Sequence, residues 1–453
     1  MKTQTMNKTY LFEEMPVKRA VLKQIIPTIF SQMIVLIYNL ADTYFVGMLN
    51  DPLQMAAVTI SSSAFLMLSA VANLFSVGGA SYVARTLGQR NEKGAKQITS
   101  ICFWCGILIT AVYSMTVWIF ASPILRLCGA SDETWNFTFR YAKWVIVYGG
   151  VGTTLNVILA DLFRSEGNAN IASFGICMGG ILNILFDPFF VLPQFLNLGV
   201  EGAGMATALT NWIATIFFIV YALLKRKSSV VHLNPKSLKY TGRHIKGILS
   251  AGIPASVQYA LTVVSVAALS KFVSLYTPEA VAALGIVKKL DQLPLYFSIG
   301  VSNGILPLLA YNHASGNHKR RHQALVFGCT ISVSFALLCL IVYELFAPTV
   351  TGLFIDDALT VSYSSRFMRL VTVATPMMAL CYPLIVEFQA MGRVKESMIC
   401  SILRKGVLDI PLLFLMNTVW PLYGCLTVQP IVDTIGLIAA VHFYRNICRK
   451  QHM

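Results

Sequence analysis

Residues 24–48 read QIIPTIFSQMIVLIYNLADTYFVGM, a mostly apolar run with one charge, Asp42. As a helix rising about 1.5 Å per residue it is long enough to cross the roughly 30 Å hydrocarbon layer of a bilayer. Eleven further runs of this kind follow, at about 54–83, 97–120, 141–161, 169–192, 203–224, 247–276, 281–310, 323–347, 367–391, 395–418 and 421–444. The connections carry turn chemistry, as in Asn50-Asp51-Pro52, Gly88-Gln89-Arg90-Asn91, Thr277-Pro278-Glu279 and Gly316-Asn317. The spacing predicts an all-α polytopic membrane protein of twelve transmembrane helices.

The composition agrees with that reading. Of 453 residues 56% are apolar and only 12% charged, against roughly 25% charged in soluble domains. The net charge of +15 would suggest a nucleic-acid partner if it formed a basic stripe interleaved with aromatics, and no such stripe is present. Instead, 25 of the 35 Lys and Arg fall in alternate gaps on the side of the N-terminus and five on the other side. By the positive-inside rule both termini are cytoplasmic, as in a plasma-membrane protein. The first twenty residues have charges but no apolar h-region, so they are not read as a signal peptide. The ten Cys lie mostly inside apolar runs, as reduced packing residues do; Cys102 and Cys105 sit in mid-run, where a redox or metal pair is not expected.

The sequence also repeats. At an offset of 226, Ala56-Ala57-Val58-Thr59-Ile60 falls on Ala282-Ala283-Leu284-Gly285-Ile286, Gly78 on Gly304, and Asn91, Lys93 and Gln97 on Asn317, Lys319 and Gln323. Asp187 and Gly202 fall on Asp409 and Gly424 at an offset of 222. Six spans per half make the repeats parallel, two pseudo-symmetric six-helix bundles with a cleft between them, an arrangement typical of transporters. The divisions expected are a cytoplasmic N-terminus (1–23), an N-lobe (24–224), a cytoplasmic linker (225–246), a C-lobe (247–444) and a cytoplasmic C-terminus (445–453).

Intramembrane acids are costly, about 2.5–3.5 kcal/mol each at a helix centre on insertion scales, and so mark candidate sites. Asp42 is late in the first span. Asn183 and Asp187 share a face of the fifth at i, i+4, with Pro188 beside them. All three fall at similar depth, where two carboxylates can hold a proton or Na⁺ between them; a capping acid and a helix-to-helix polar clamp are the structural alternatives. In the second half Lys288, Lys289 and Asp291 cluster in span 8, with Glu387 in span 10, Asp409 in span 11 and Asp433 in span 12. Lys289 with Asp291 or Glu387 forms either a second-lobe or substrate site, or helix-pairing ion pairs. Tyr38, Tyr44, Phe65, Tyr148, Tyr259, Tyr296 and Phe297 can line a pocket for flat organic cations, or simply face lipid and core. His244, His313, His318 and His322 fall in cytoplasmic gaps and are expected to be solvated. HExxH, GxxxxGK[ST] and GxSxG motifs are absent, so neither an enzyme nor an ATPase is indicated and an ion gradient is the expected energy source; no cofactor or metal cluster is expected.

Taken together these segments resemble the multidrug and toxic compound extrusion (MATE) transporters, particularly their bacterial multidrug-efflux branch. The resemblance runs through Phe12-Glu13-Glu14-Met15-Pro16-Val17, Asp42-Thr43-Tyr44-Phe45-Val46-Gly47, Gly78-Gly79-Ala80-Ser81-Tyr82-Val83-Ala84-Arg85, Asn183-Ile184-Leu185-Phe186-Asp187-Pro188, Gly202-Ala203-Gly204-Met205-Ala206-Thr207, Gly252-Ile253-Pro254-Ala255 and Leu306-Pro307-Leu308-Leu309-Ala310-Tyr311-Asn312. It implies a V-shaped, alternating-access antiporter that expels lipophilic organic cations, antibiotics among them, in exchange for H⁺ or Na⁺. The ion-coupling set it implies is Asp42, Asn183, Asp187 and Thr207. The Na⁺-coupled branch also uses an acid on helix 7, yet no Asp or Glu lies between Gly247 and Tyr276, which leaves Glu387 as the C-lobe acid. A monomer in membrane lipid is expected. The competing readings are a lipid-linked saccharide flippase of the same superfamily and a non-transporting membrane receptor.

Overall fold

A computed structural model describes residues 10–451; the basic residues Lys2 and Lys8, and the rest of 1–9 and 452–453, lie outside them. The described residues form helices and no strands. The N-lobe holds α1 (Val17–Gly47), α2 (Pro52–Gly88), α3 (Glu92–Ile119), the short α4 (Ala121–Leu127) and α5 (Trp135–Ala142), then α6 (Gly150–Ser165), α7 (Ala169–Val191) and α8 (Gly199–Leu224). The C-lobe holds α9 (Thr241–Val273), α10 (Pro278–Ala314), α11 (His318–Gly352), α12 (Ala358–Thr372), α13 (Thr375–Met391), α14 (Val394–Arg404), α15 (Asp409–Val419) and α16 (Tyr423–Gln451).

Among the described residues nine single helices are long and apolar enough to span a membrane, and two bent pairs make eleven: α5 with the turn to Tyr148 running into α6 at 46°, and α12 into α13 at 43°. The remaining apolar run of the sequence, 395–418, falls on α14 and α15, two helices of 11 residues each that are separated at residues 405–408. The first helix begins at Val17 rather than near residue 24, and α9 at Thr241 rather than 247. Both extra stretches are amphipathic and project beyond the apolar run that marks the span in the sequence.

The repeat is visible in the caps. Asp51 accepts from the amide of Leu53 (2.9 Å) ahead of Pro52, and Thr277, 226 residues later, accepts from Ala280 (3.2 Å) ahead of Pro278. Asn91 caps α3 through Gly94 (2.8 Å), and Asn317 caps α11 through Arg320 (3.1 Å). Each satisfies a helix-end amide that has no intrahelical partner. The helices opened by Asp51 and Thr277, α2 and α10, are both 37 residues long.

The lobes meet on the side of the membrane where the N-terminus lies. One hydrophobic core there draws on both lobes, joining Ile25, Val77, Ala80 and Ala84 to Ala255, Val301, Ile305 and Leu309. Toward the opposite face each lobe has its own core, around Val46, Ala57 and Val200 in one and Leu284, Phe367 and Leu426 in the other. Packing at the joined side is tight enough to require glycine: a Cβ on Gly252 would collide with the carbonyl oxygen of Leu74, and one on Gly304 would lie 2.9 Å from Cα of Ile25. Ser81 donates to the Gln389 carbonyl at 2.7 Å, and Arg85 to the Gly247 carbonyl and Ser250. The cleft therefore opens away from the N-terminal side.

Two segments brace that closure. Phe12 stacks on Tyr311 with centroids 4.7 Å apart, Tyr311 donates to Glu13 (2.7 Å), and Arg320 donates to the carbonyls of Leu11, Phe12 and Met15. On the other side Arg90 reaches Glu13 at 3.4 Å and Leu11 lies against Gly167. Residues 229–234 of the linker are strapped to the N-lobe. Thr99 donates to the Val230 carbonyl (2.8 Å), Ser100 to that of His232 (2.7 Å) and Trp104 to that of Leu233 (3.1 Å), while buried Glu166 accepts from Ser229 and the Val230 amide.

Candidate ion and substrate site

Asp42 on α1, Asn183 and Asp187 on α7 and Thr207 on α8 converge in the N-lobe. The i, i+4 spacing puts Asn183 above Asp187 on a buried face, and its amide nitrogen lies 3.3 Å from Asp187 Oδ1 and 3.4 Å from Thr207 Oγ1. Asp187 is within electrostatic range of Asp42, and the hydroxyl of Tyr141, at the end of α5, faces Asp42. Three acceptor oxygens at this spot, Asp42 Oδ1, Asn183 Oδ1 and Asp187 Oδ2, are buried without a protein partner. An unpaired buried acceptor costs about 1–3 kcal/mol. Hard oxygen donors of this kind fit a proton or a small alkali cation; among the described residues no group of three or more His, Cys, Asp or Glu gathers as a site for a multivalent metal.

A chain of neighbouring tyrosines leads from Asp42 toward the C-lobe. Tyr38 neighbours Asp42 and Tyr296; Tyr296 bonds Asn39 and neighbours Tyr382; and Tyr259 neighbours both Tyr296 and Tyr382. Tyr44 is 65% exposed and Phe297 is stacked on Phe335 at 3.8 Å, so neither belongs to this chain of tyrosines. The other second-lobe candidates separate. Lys288 and Asp291 are half-buried on one face of α10, whereas Lys289 is exposed on another. Glu387 lies apart from them on α13, fully buried and 2.8 Å from Arg321.

Several polar residues differ from their sequence reading. His244 is buried, not solvated, 3.1 Å from Gln97 Oε1 and beside Tyr82, because α9 lies against α2 and α3 there. His313 is half-buried with Arg321 at 2.9 Å. Arg164, a gap residue in the sequence, is buried in an ion pair with Asp161, which also accepts from Ser76. Tyr141 escapes the sequence reading, because a tyrosine at the end of a span carries no signal of its own. A separate hollow of about 330 Å³, lined by Leu11, Lys23, Glu166, Asn168, Tyr221 and Lys225, opens on the N-terminal face at the far ends of α6 and α7 from Asp187.

The chain's relationships agree with this architecture. Residues 27–189 and 254–415 match the MatE family model, one match in each lobe. The chain belongs to the MatE family of membrane transporters, and is not an enzyme. Its relatives include the multidrug export protein MepA of Staphylococcus saprophyticus and that of Staphylococcus aureus (strain bovine RF122 / ET3-1), each 29% identical over 432 residues, or 95% of this chain and 94% of the relative. In fold it is similar to an outward-facing multidrug resistance MATE transporter of the MOP superfamily (TM-score 0.91, 22% identity, 98% of both chains) and to a mutant form of the Vibrio cholerae MATE transporter VcmN (TM-score 0.88, 17% identity, 96% and 98% of the two chains).

Proposed function

We propose that this protein is a secondary antiporter that exports lipophilic, mostly cationic organic compounds in exchange for H⁺ or Na⁺. The observation that carries the reading is the set of partnerless buried oxygens on Asp42, Asn183 and Asp187, with Tyr38 beside Asp42. The relatives named as multidrug export proteins support outward transport of drugs. Both termini and the linker are assigned to the cytoplasm of the plasma membrane by the distribution of Lys and Arg. The cleft then faces outward, and the working unit is taken to be the monomer.

In this scheme a proton or Na⁺ enters from outside and bridges Asp42 and Asp187. Neutralising the pair lowers the cost of closing the cleft over it. Because Asp42 is carried on α1, which packs on both α7 and α10, occupancy there bears on the packing that joins the lobes. The cargo cation, attracted by the same carboxylates and the tyrosine faces, is displaced as the coupling ion binds. Asp42→Asn keeps the shape and removes the exchangeable charge. At equal expression the variant is expected to lose drug resistance; retained resistance removes Asp42 from the mechanism.

A further inference from the structure

The hollow on the N-terminal face lies at the edge of the apolar layer. Lys23 immediately precedes the apolar run 24–48 of α1, Lys225 immediately follows the run 203–224 of α8, and Asn168 immediately precedes the run 169–192 of α7. Because α7 packs against both α1 and α8, the three runs end side by side, and their ends enclose about 330 Å³. That is the level at which lipid headgroups meet the hydrocarbon core.

The charges in the lining are unevenly engaged. Glu166 accepts from Asn168 Nδ2 at 2.6 Å, Ser229 Oγ at 2.9 Å and the Val230 amide at 2.8 Å, which turns its carboxylate toward the linker strap. Lys23 and Lys225 are exposed and, among the described residues, have neither a hydrogen bond nor an ion pair. Two lysines against one acid leave the lining with one net positive charge. Asn168, which bonds Glu166, does not cap α7. The amides of residues 169–171, which line the hollow, therefore have neither a side-chain cap nor an intrahelical partner.

An open apolar flank continues from the hollow. Ile26 and Phe30, at i+3 and i+7 from Lys23 on α1, and Phe174, at i+3 from Ile171 on α7, are each more than half exposed. From Lys23 to Phe30 the helix advances about 10 Å, so this flank reaches from headgroup level into the hydrocarbon.

We propose that the hollow binds the headgroup of an anionic phospholipid. Its phosphodiester meets Lys23, Lys225 and the first amides of α7, and its acyl chains lie along Ile26, Phe30 and Phe174. Basic pockets between membrane helices recognise anionic headgroups in this way, and one negative charge balances the lining. A zwitterionic headgroup would bring a further cation among the lysines. Free phosphate shares the anion chemistry, but only a lipid also uses the apolar flank. The site stands apart from whatever the cleft carries, and its occupant joins the start of α1 to the end of α8 on the closed side.

Hydrogen exchange in peptides covering residues 169–171 tests the site on the full-length protein in nanodiscs. The discs hold dioleoylphosphatidylcholine with increasing fractions of dioleoylphosphatidylglycerol. Phosphatidylglycerol is expected to slow exchange there. Lys23→Gln or Lys225→Gln should each raise the fraction giving half-maximal protection about fivefold, and Lys23→Arg with Lys225→Arg should keep it. A control pair, Lys319→Gln with Lys395→Gln, changes the net charge equally on the same face outside the hollow and should leave the fraction unchanged. Exchange indifferent to phosphatidylglycerol, or protection that the control pair weakens as much as Lys23→Gln with Lys225→Gln, overturns the site. Inorganic phosphate reproducing the protection in phosphatidylcholine discs overturns the lipid assignment.

Discussion

The amide of Asn183 approaches both Asp187 and Thr207, so one side chain ties the Asp187 carboxylate to α8. Truncation by Asn183→Ala leaves Asp187 Oδ1 without this donor. We expect about a tenfold rise in the ion concentration giving half-maximal flux, the effect of one hydrogen bond to a charged group; an unchanged ion requirement assigns Asn183 to packing alone. These residues are legible in the sequence because a charge in an apolar run is expensive and rare. Tyr141 is not, since a tyrosine near a span end is ordinary and only the bend between α5 and α6 brings it to Asp42. His244 reads as solvated in the sequence because its gap is covered by α2 and α3, which no local pattern reveals.

Arg320 donates to three carbonyls of the segment before α1, and that segment touches both lobes. Arg320→Ala strands those carbonyls and should cost about 2–4 kcal/mol, read as a thermal midpoint lower by several degrees; an unchanged midpoint means the segment adds nothing to the closure. The linker strap has a pH signature. Burial, and then the nearby Lys96, hold His232 below the ordinary histidine range. The folded strap therefore binds fewer protons than the free linker. Its hold is complete above about pH 6.5 and weakens as pH falls through that value. Hydrogen exchange at residues 229–234, corrected for intrinsic rates, should accelerate between pH 8 and pH 5.5. His232→Gln should flatten that dependence, and a flat profile in the unmodified protein contradicts the assignment. The spans themselves are visible as apolar runs, but the break at 405–408 is not: Arg404-Lys405-Gly406 is too short an interruption to divide a run that hydropathy reads as one helix.

The halves repeat their caps, their helix lengths and their family match, so the two-bundle architecture is readable from the sequence offsets alone. Which face is closed is not, because it depends on where glycines let two backbones meet. If the joined side must part during transport, a cysteine pair replacing Ser81 and Gln389, in a background lacking the native cysteines, should arrest flux when oxidised and release it on reduction. Continued flux with the bridge formed would mean that this closure never opens. In the proposed mechanism an ion gradient and cargo are coupled through Asp42. Ethidium efflux from proteoliposomes, with a pH gradient and a Na⁺ gradient imposed separately, should be driven by one of them in the unmodified protein and by neither in Asp42→Asn. Equal gradient-driven efflux from the variant, or efflux indifferent to both gradients in the unmodified protein, would contradict it.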